Sequence, residues 1–190
     1  AGLAIRDSVL PDALVVALAD EAQRLTQAEK LRRAGVGRAE DHELNREVRR
    51  ARVMWLDGAT LAQVQFLEVM EAMRLEANRE LMLGLFDFEA HFALYEPGAF
   101  YARHVDAFRG ARNRLLSVVL YLNEDWREGD GGELAIFAED SEVDAAPVLT
   151  IAPVIGRMVL FLSEDIPHAV LTANRDRYSI AGWFRVREAV

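Results

Sequence analysis

Two histidines and one aspartate in the second half of the chain have the types and spacing of a metal site. His104 and Asp106 stand two residues apart in YARHVDAF, and on a strand residues i and i+2 project from the same face. His168 follows Pro167 and reaches this pair only if the intervening strands fold back across a sandwich. Two imidazoles and one carboxylate on one side of a metal leave adjacent positions open, as in non-haem Fe(II) oxygenases. A surface His-Asp pair and a zinc site are the alternatives, although no fourth ligand for structural zinc stands out.

A candidate anion site lies close to His168 in the sequence. Arg177 follows it by nine residues, and a guanidinium that points into a small barrel is costly unless it meets an anion. Its planar fork suits a carboxylate that accepts two hydrogen bonds. A surface salt bridge is the alternative, because other arginines are close in sequence. Strand alternation places Ser179, Ala181 and Trp183 on the face of Arg177, and Tyr178, Ile180, Gly182 and Phe184 on the opposite face.

The composition excludes several other kinds of chemistry and partner. The chain has 190 residues, 52% of them hydrophobic, which is enough for one domain with a sizeable core. Without cysteine it has no disulfide, thiolate nucleophile or iron-sulfur cluster, so a metal must bind to histidine and carboxylate. The net charge of -9 argues against nucleic acid as a partner. No apolar run approaches the roughly 20 residues of a membrane helix, and the first residues lack a secretory pattern. We therefore expect a cytoplasmic protein without a membrane partner.

The hydrophobic pattern changes near residue 86. Before it, apolar residues recur at helical spacing after Pro11 and again from Leu61, which predicts two amphipathic helices. The segment RVMWLDG indicates a brief strand that ends in a glycine turn, and His42 lies in a polar, charged stretch where a surface position is expected. After residue 86 the period falls to two, in about eight short runs separated by turn signals.

These patterns predict an α+β, mainly β protein. The expected architecture is a jelly roll (double-stranded β-helix) with the N-terminal helices packed on one sheet. The whole chain, 1–190, is expected to form one domain, with 1–86 as a helical support region and 87–187 as the catalytic core. His91 shares its strand face with Tyr95; a satisfied core histidine is the preferred interpretation, and a pocket residue is the alternative.

The metal-type residues and Arg177 together resemble a known signature. HVD at 104–106, His168 and Arg-Tyr-Ser at 177–179 are similar to the HxD…H…RxS pattern of the 2-oxoglutarate and Fe(II)-dependent dioxygenases. Within that family the chain resembles the prolyl 4-hydroxylase branch, especially the bacterial and oxygen-sensing enzymes. The resemblance implies Fe(II), 2-oxoglutarate and O2, with ascorbate as an optional supporting reductant. The segments that carry it are YEPGAFYARHVD, VVLYLNEDW, GGELAIF and RYSIAGWF.

The resemblance also assigns roles to single residues. His104, Asp106 and His168 become the iron ligands, and Arg177 the partner of the distal carboxylate of 2-oxoglutarate; all four are counted as catalytic. Tyr121 and Tyr95 match tyrosines that line the cosubstrate pocket, and Ser179 and Trp183 are expected in the same pocket. Alternation along the strand that contains Tyr121 agrees, since it places on one face Leu115, Ser117, Val119 and Tyr121.

The implied activity is hydroxylation of a C–H bond, with release of succinate and CO2, on a prolyl residue of a protein or peptide. An aspartate ligand favours hydroxylation over halogenation. The alternatives are a dioxygenase acting on a small molecule or nucleic acid, and a cupin-like metal-binding module without turnover. Relatives that demethylate nucleic acid resemble a pattern with a second arginine where this chain has Trp183. A cupin-like module gives no reason for Arg177 to face inward.

The substrate-binding residues are the least specified part of the sequence. Arg109 and Arg112 lie beside the predicted ligands, although the chain as a whole is acidic. We interpret them as part of a basic rim that steers an acidic or anionic polypeptide toward the metal. Ordinary strand-end arginines, paired with nearby carboxylates, are the alternative.

Overall fold

The computed structural model describes residues 2–33, 50–107, 113–142 and 144–187. His42 lies outside this part of the chain, and so do Arg109 and Arg112. The two helices are α1 (Asp12–Gln27) and α2 (Leu61–Leu81). The strands are β1 (Leu3–Arg6), β2 (Arg32–Arg33), β3 (Arg52–Trp55), β4 (Leu85–Tyr95), β5 (Tyr101–His104), β6 (Arg114–Tyr121), β7 (Leu134–Ile136), β8 (Leu149–Ile151), β9 (Met158–Leu162), β10 (His168–Val170) and β11 (Arg177–Val186).

The two predicted helices form where their start signals stand. The helix α1 begins directly after Pro11, whose backbone angle suits a helix start. The helix α2 begins after Thr60, whose hydroxyl accepts a hydrogen bond from the backbone N–H of Gln63 at 3.2 Å. It ends at Met82 in the left-handed conformation, two residues before Gly84. In the described part of the chain neither helix is long and apolar enough to cross a lipid bilayer.

Two antiparallel sheets face each other, which confirms the expected jelly roll. The larger sheet has the strand order β1-β9-β6-β11-β4-β3-β2, and the smaller one has the order β5-β10-β7-β8. The eight runs expected after residue 86 are the strands β4 to β11. Three further strands precede that position and join the large sheet, because β1 pairs with β9 and β3 pairs with β4.

The helices cover the outer face of the large sheet, as the sequence predicts. Leu18 of α1 and the α2 side chains of Phe66 and Met70 are fully buried against Phe92 and Ile180 of the sheet. The inner face looks toward the small sheet, and the residues on it alternate with these core residues along each strand. It is the inner face that carries Arg177, Ser179 and Tyr121.

One expectation of strand alternation is wrong at the start of β6. Leu115 was expected on the face of Ser117, but it packs with Leu116 against the helix-side core. A β-bulge shifts the register between Phe184 and Arg185, and Arg114 consequently lies opposite Arg185.

Candidate active site

The fold brings His104, Asp106 and His168 together. His104 ends β5 and His168 begins β10, and these two residues are direct cross-strand partners. The ligand atoms of the three side chains all lie within 4.8 Å of one another. The Nε2 atom of His104 is 3.5 Å from Oδ1 of Asp106, and that of His168 is 3.8 Å from Oδ2. The spacing predicted from sequence is therefore realised as a cluster that can hold one metal ion.

Backbone carbonyls orient both imidazoles of this cluster. Nδ1 of His104 lies 2.8 Å from the carbonyl oxygen of Ala102, and Nδ1 of His168 lies 2.9 Å from that of Ile166. Each Nδ1 then carries the proton, and in the neutral imidazole each Nε2 keeps the lone pair that a metal ion needs. Such contacts preset the tautomer that a metal requires.

The charges around Asp106 favour a carboxylate and a neutral His168. Burial alone would raise the pKa of Asp106, but His168, His104 and the hydroxyl of Ser117 together hold it well below its usual range. Burial, reinforced by His104, lowers the pKa of His168 to about 4. One anionic and one neutral ligand at neutral pH are the protonation states that bind a divalent cation.

Two buried serines, to which the sequence patterns assign no role, support the aspartate. The hydroxyl of Ser117 donates to Oδ2 of Asp106 at 2.6 Å and lies 2.9 Å from the hydroxyl of Ser163. The carbonyl oxygen of Ser163 accepts hydrogen bonds from the backbone N–H groups of Asp106 and Ala107. Alternation placed Ser117 on the inner face, but nothing in the sequence pairs it with Asp106.

Arg177 is buried on the same face, with only 1% of its surface exposed. Its Nε donates to the carbonyl oxygen of Gly132 at 2.7 Å, and its Nη1 donates to the hydroxyl of Ser179 at 3.2 Å. The guanidinium lies between the rings of Tyr95 and Tyr121, 5.0 and 5.1 Å from their centroids. No carboxylate of the described residues pairs with it. A buried cation that meets no carboxylate among the described residues is a binding site for an anion.

Tyr121 supplies a second unsatisfied group beside Arg177. Its hydroxyl is fully buried and has no hydrogen-bond partner among the described residues. Burial raises the pKa of Tyr121 to about 12, although Arg177 opposes the shift. The hydroxyl is therefore a neutral donor, and it is available to an anion that also meets Arg177.

The far end of the inner face is aromatic. The indole of Trp183 is stacked under the guanidinium of Arg114, whose Cζ lies 3.7 Å from its centroid, and Glu89 accepts hydrogen bonds from that guanidinium. His91 is buried between Trp183 and Trp55, at ring distances of 5.4 and 5.2 Å. Half of Trp55 is exposed, so this aromatic group lies at an open end of the face.

Trp183 is separated from the Arg177 pocket. The two residues are six positions apart, which corresponds to roughly 20 Å along a strand, and Trp183 lies opposite Ser117, the residue that contacts Asp106. Its placement in the cosubstrate pocket stays a prediction. His91 is both a buried residue and a member of the inner face, so the two interpretations of it do not exclude each other.

The residues present fit an Fe(II) and 2-oxoglutarate site on structural grounds. The three ligand atoms consist of two imidazole nitrogens and one carboxylate oxygen, a set that suits Fe(II). The unpartnered hydroxyl of Tyr121 and the uncompensated charge of Arg177 together fit one carboxylate. The sheet row between these two sites carries the small side chains of Val119 and Ala181, with His91 opposite Ala181.

Comparison with known proteins gives this site a family. Residues 90–185 match the model of the 2OG-Fe(II) oxygenase superfamily. A prolyl-4-hydroxylase of Pseudomonas putida is 43% identical, over 97% of this chain and 92% of its own, with a TM-score of 0.86. A Trichoplax adhaerens prolyl hydroxylase, solved with a hypoxia inducible factor peptide fragment, is 23% identical over 97% of this chain and 83% of its own, with a TM-score of 0.81.

The jelly roll and its His-Asp-His cluster define a non-haem metal oxygenase fold. The chain belongs to the 2OG-Fe(II) oxygenase superfamily. It is thus an enzyme that uses Fe(II), 2-oxoglutarate and O2, and the resemblance identified from sequence is confirmed.

Proposed function

We propose that the protein hydroxylates prolyl residues of a protein or peptide, with 2-oxoglutarate and O2 as cosubstrates. The observation that carries this proposal is the buried, uncompensated Arg177 on the same sheet face that supports the His-Asp-His cluster. The prolyl substrate class is supported by the 43% identity to the Pseudomonas putida prolyl-4-hydroxylase over nearly the full length of both chains. The single domain over 1–190 and the cytoplasmic location stay predictions of the sequence.

In this proposal His104 and His168 bind the metal through Nε2, and Asp106 binds it through one carboxylate oxygen. The carbonyl contacts of both Nδ1 atoms keep the imidazoles in that orientation. The ring of Tyr101 stacks on that of His104, with 3.6 Å between the ring centroids. The ring of Phe161 meets that of His168 edge to face, with 4.7 Å between the centroids. These rings fill the space around the ligands and limit the access of water.

Arg177 binds the distal carboxylate of 2-oxoglutarate, and Tyr121 donates a hydrogen bond to the same carboxylate. Ser179 orients the guanidinium through Nη1, while Gly132 accepts from Nε. Tyr95 covers the other side of the guanidinium. The chain thus binds the cosubstrate at the end remote from its reacting keto acid and leaves that end free to meet the metal.

Bound Fe(II) supplies the oxygen chemistry: one atom of O2 enters the substrate C–H bond, and the other enters succinate as 2-oxoglutarate loses CO2. The chain's own contribution is to bind, orient and desolvate. Val119 and Ala181 line the region between metal and cosubstrate anchor with apolar surface, which keeps water away from the reacting groups.

The polypeptide substrate would approach at the aromatic end of the inner face. The half-exposed Trp55 offers a flat apolar surface there, which suits the ring of a prolyl residue. The Trichoplax adhaerens enzyme, whose fold is the same, was solved with a peptide fragment. We propose that Arg109 and Arg112 contact this polypeptide.

Mass spectrometry of hydroxylated peptides tests the proposed activity. The Fe(II)-loaded protein is incubated with a cell extract, 2-oxoglutarate and O2, and tryptic peptides are searched for a 16 Da increase on proline. The proposal expects such peptides only when 2-oxoglutarate is present, and none with Asp106→Ala. Increases confined to other residue types would place the enzyme in a different substrate class, and 2-oxoglutarate consumption without any modified peptide would refute a polypeptide substrate.

The role of Arg109 and Arg112 has its own experiment. Both are replaced by glutamine, and uncoupled 2-oxoglutarate turnover is measured beside peptide hydroxylation. If they serve the substrate, hydroxylation falls and becomes less sensitive to salt, while uncoupled turnover persists. Arg79→Gln is a matched control, because Arg79 is an exposed arginine on α2 whose ion-pair partners among the described residues lie on the same helix. Equal loss of both activities, or of neither, would contradict the role.

A further inference from the structure

The two carboxylate oxygens of Asp106 have different environments. Oδ2 accepts the 2.6 Å hydrogen bond from Ser117, whereas the only described side chain that reaches Oδ1 is the imidazole of His104. Oδ1 is the oxygen that lies 3.5 Å from Nε2 of His104. An oxygen that already accepts a short hydrogen bond is a poorer ligand than its neighbour, so Oδ1 is the atom left for the metal.

The direction of the hydrogen bonds behind Asp106 follows from proton counting. A serine hydroxyl has one proton, and that of Ser117 is directed to Asp106. In the contact of 2.9 Å between the two serines, Ser163 is therefore the donor and Ser117 the acceptor. Both side chains are buried, at 1% and 0% exposure, so water does not compete for these protons. The two hydroxyls thus form a chain of hydrogen bonds, here called the relay, in which Ser163 donates to Ser117 and Ser117 donates to Oδ2 of Asp106.

The relay also joins the three segments that carry or support the cluster. Ser117 lies in β6, and Ser163 directly follows β9 and stands five residues before His168. The backbone of Ser163 accepts from Asp106 at 3.0 Å and donates to the carbonyl oxygen of Leu115 at 3.0 Å. The position of Asp106 is thus tied to the large sheet by side chain and backbone at once.

We propose that Ser117, backed by Ser163, is a positioning residue that restricts Asp106 to binding the metal through a single oxygen. Each of the three protein side chains would then hold the metal through one ligand atom, and its remaining positions would be left for 2-oxoglutarate and O2. A carboxylate free to bind through both oxygens would take one of those positions. This inference rests on the proposed metal site.

Cobalt(II) binding tests the inference without turnover. Co(II) is titrated into the metal-free protein by calorimetry, and its visible absorption reports which ligands surround it. Loss of an outer hydrogen bond to a ligand typically costs 10- to 100-fold in metal affinity. We expect Ser117→Ala to weaken Co(II) binding about tenfold, to shift the visible absorption because the second oxygen of Asp106 replaces a solvent ligand, and to weaken 2-oxoglutarate binding to the Co(II)-loaded protein.

A double-mutant cycle separates the relay from general packing. Ser163→Ala is expected to have a smaller effect than Ser117→Ala, and the double variant to equal Ser117→Ala, because Ser163 acts on Asp106 only through Ser117. Ser179→Ala is the matched control: it removes a buried hydroxyl from the same sheet face, but this one contacts Arg177. Its Co(II) affinity and absorption should be those of the wild type.

The Co(II) measurements distinguish a failure of the serine relay from a failure of the metal site. Wild-type affinity and absorption in Ser117→Ala would overturn the inference and leave the metal site intact. If Ser117→Ala does not fold, Ser163→Ala decides, and unchanged Co(II) binding in that variant overturns the relay. Wild-type protein that binds Co(II) no better than His104→Ala would refute the proposed metal site itself.

Discussion

Gly132 occupies a position where any side chain would press on Arg177. A Cβ atom built on it would lie 2.9 Å from Cδ of Arg177 and 3.4 Å from both Ala173 and Trp126. Its φ of +68° lies in the left-handed region that other residues rarely adopt. Because the carbonyl oxygen of the same residue accepts from Nε of Arg177, the glycine positions the cosubstrate arginine by both its shape and its backbone.

The expected cost of Gly132→Ala has two parts. The left-handed backbone costs a residue with a Cβ roughly 1–2 kcal/mol. Displacing Arg177 by the few tenths of an ångström that the contact demands weakens its hydrogen bond to the Gly132 carbonyl, and bonds of charged groups are worth about 1.5–3 kcal/mol. A shifted guanidinium also loses about one such bond to the 2-oxoglutarate carboxylate, so we expect KM for 2-oxoglutarate to rise about tenfold and kcat to change little.

Gly84→Ala is a matched control for the cost of placing a Cβ on a left-handed backbone. Gly84 has a φ of +69°, and a Cβ there would meet nothing within 4 Å. It follows α2 and lies away from the inner face of the sheet. This variant should lose only the roughly 1–2 kcal/mol of the left-handed backbone, and its KM for 2-oxoglutarate should be that of the wild type.

The assay combines urea unfolding of the metal-free proteins with steady-state kinetics of 2-oxoglutarate consumption. The reasoning would be refuted if Gly132→Ala and Gly84→Ala lost the same stability and shared the wild-type KM. A fall in kcat without a change in KM would also refute it, because that would locate the damage at the metal and not at the distal carboxylate.

Three further outcomes are expected. Alanine variants of His104, Asp106 or His168 should stay folded but lose calorimetric metal binding and 2-oxoglutarate turnover; wild-type succinate production by any of them would remove that residue from the ligand set. Tyr121→Phe removes a buried unpartnered hydroxyl, so the apo protein should gain about 1 kcal/mol while thermal stabilisation by 2-oxoglutarate decreases; an opposite sign for either would contradict the donor role. Since the pKa of His168 is about 4 when folded and about 6.5 when unfolded, the unfolded chain binds more protons between these values, and the metal-free protein should lose about 2 kcal/mol from pH 7 to pH 5. Urea unfolding at the two pH values measures this loss, and an undiminished loss in His168→Gln would show that another group causes it.

The period of two in the second half of the chain was sufficient to predict eight strands and the inner face that carries Arg177. Alternation is a local property of a strand, so it survives in the folded protein wherever the register is regular. It failed at Leu115 because a β-bulge, which depends on the pairing of β6 with β11, changes the face of the residues before it. The four-residue strand β1 escaped notice because it is too short to show a period.

The contacts that complete the site could not be read from the sequence. Ser117 meets Asp106 and Ser163 meets Ser117 across separations of 11 and 46 residues, and Gly132 meets Arg177 across 45. Such pairs depend on which strands become neighbours, and no local pattern records that. Alternation likewise placed Trp183 on the face of Arg177 without showing that it lies beside Arg114 at the opposite end.

In the proposed mechanism one cluster holds a metal, and Arg177 holds the cosubstrate that chelates it. Anaerobic calorimetry of 2-oxoglutarate binding, with Mn(II) in place of Fe(II), tests both parts in one experiment. We expect one molecule of 2-oxoglutarate bound per chain only when Mn(II) is present. Its affinity should fall at least tenfold in Arg177→Ala and be partly restored in Arg177→Lys, which supplies the charge without the fork. Binding of equal strength without Mn(II), or an unchanged affinity in Arg177→Ala, would contradict it.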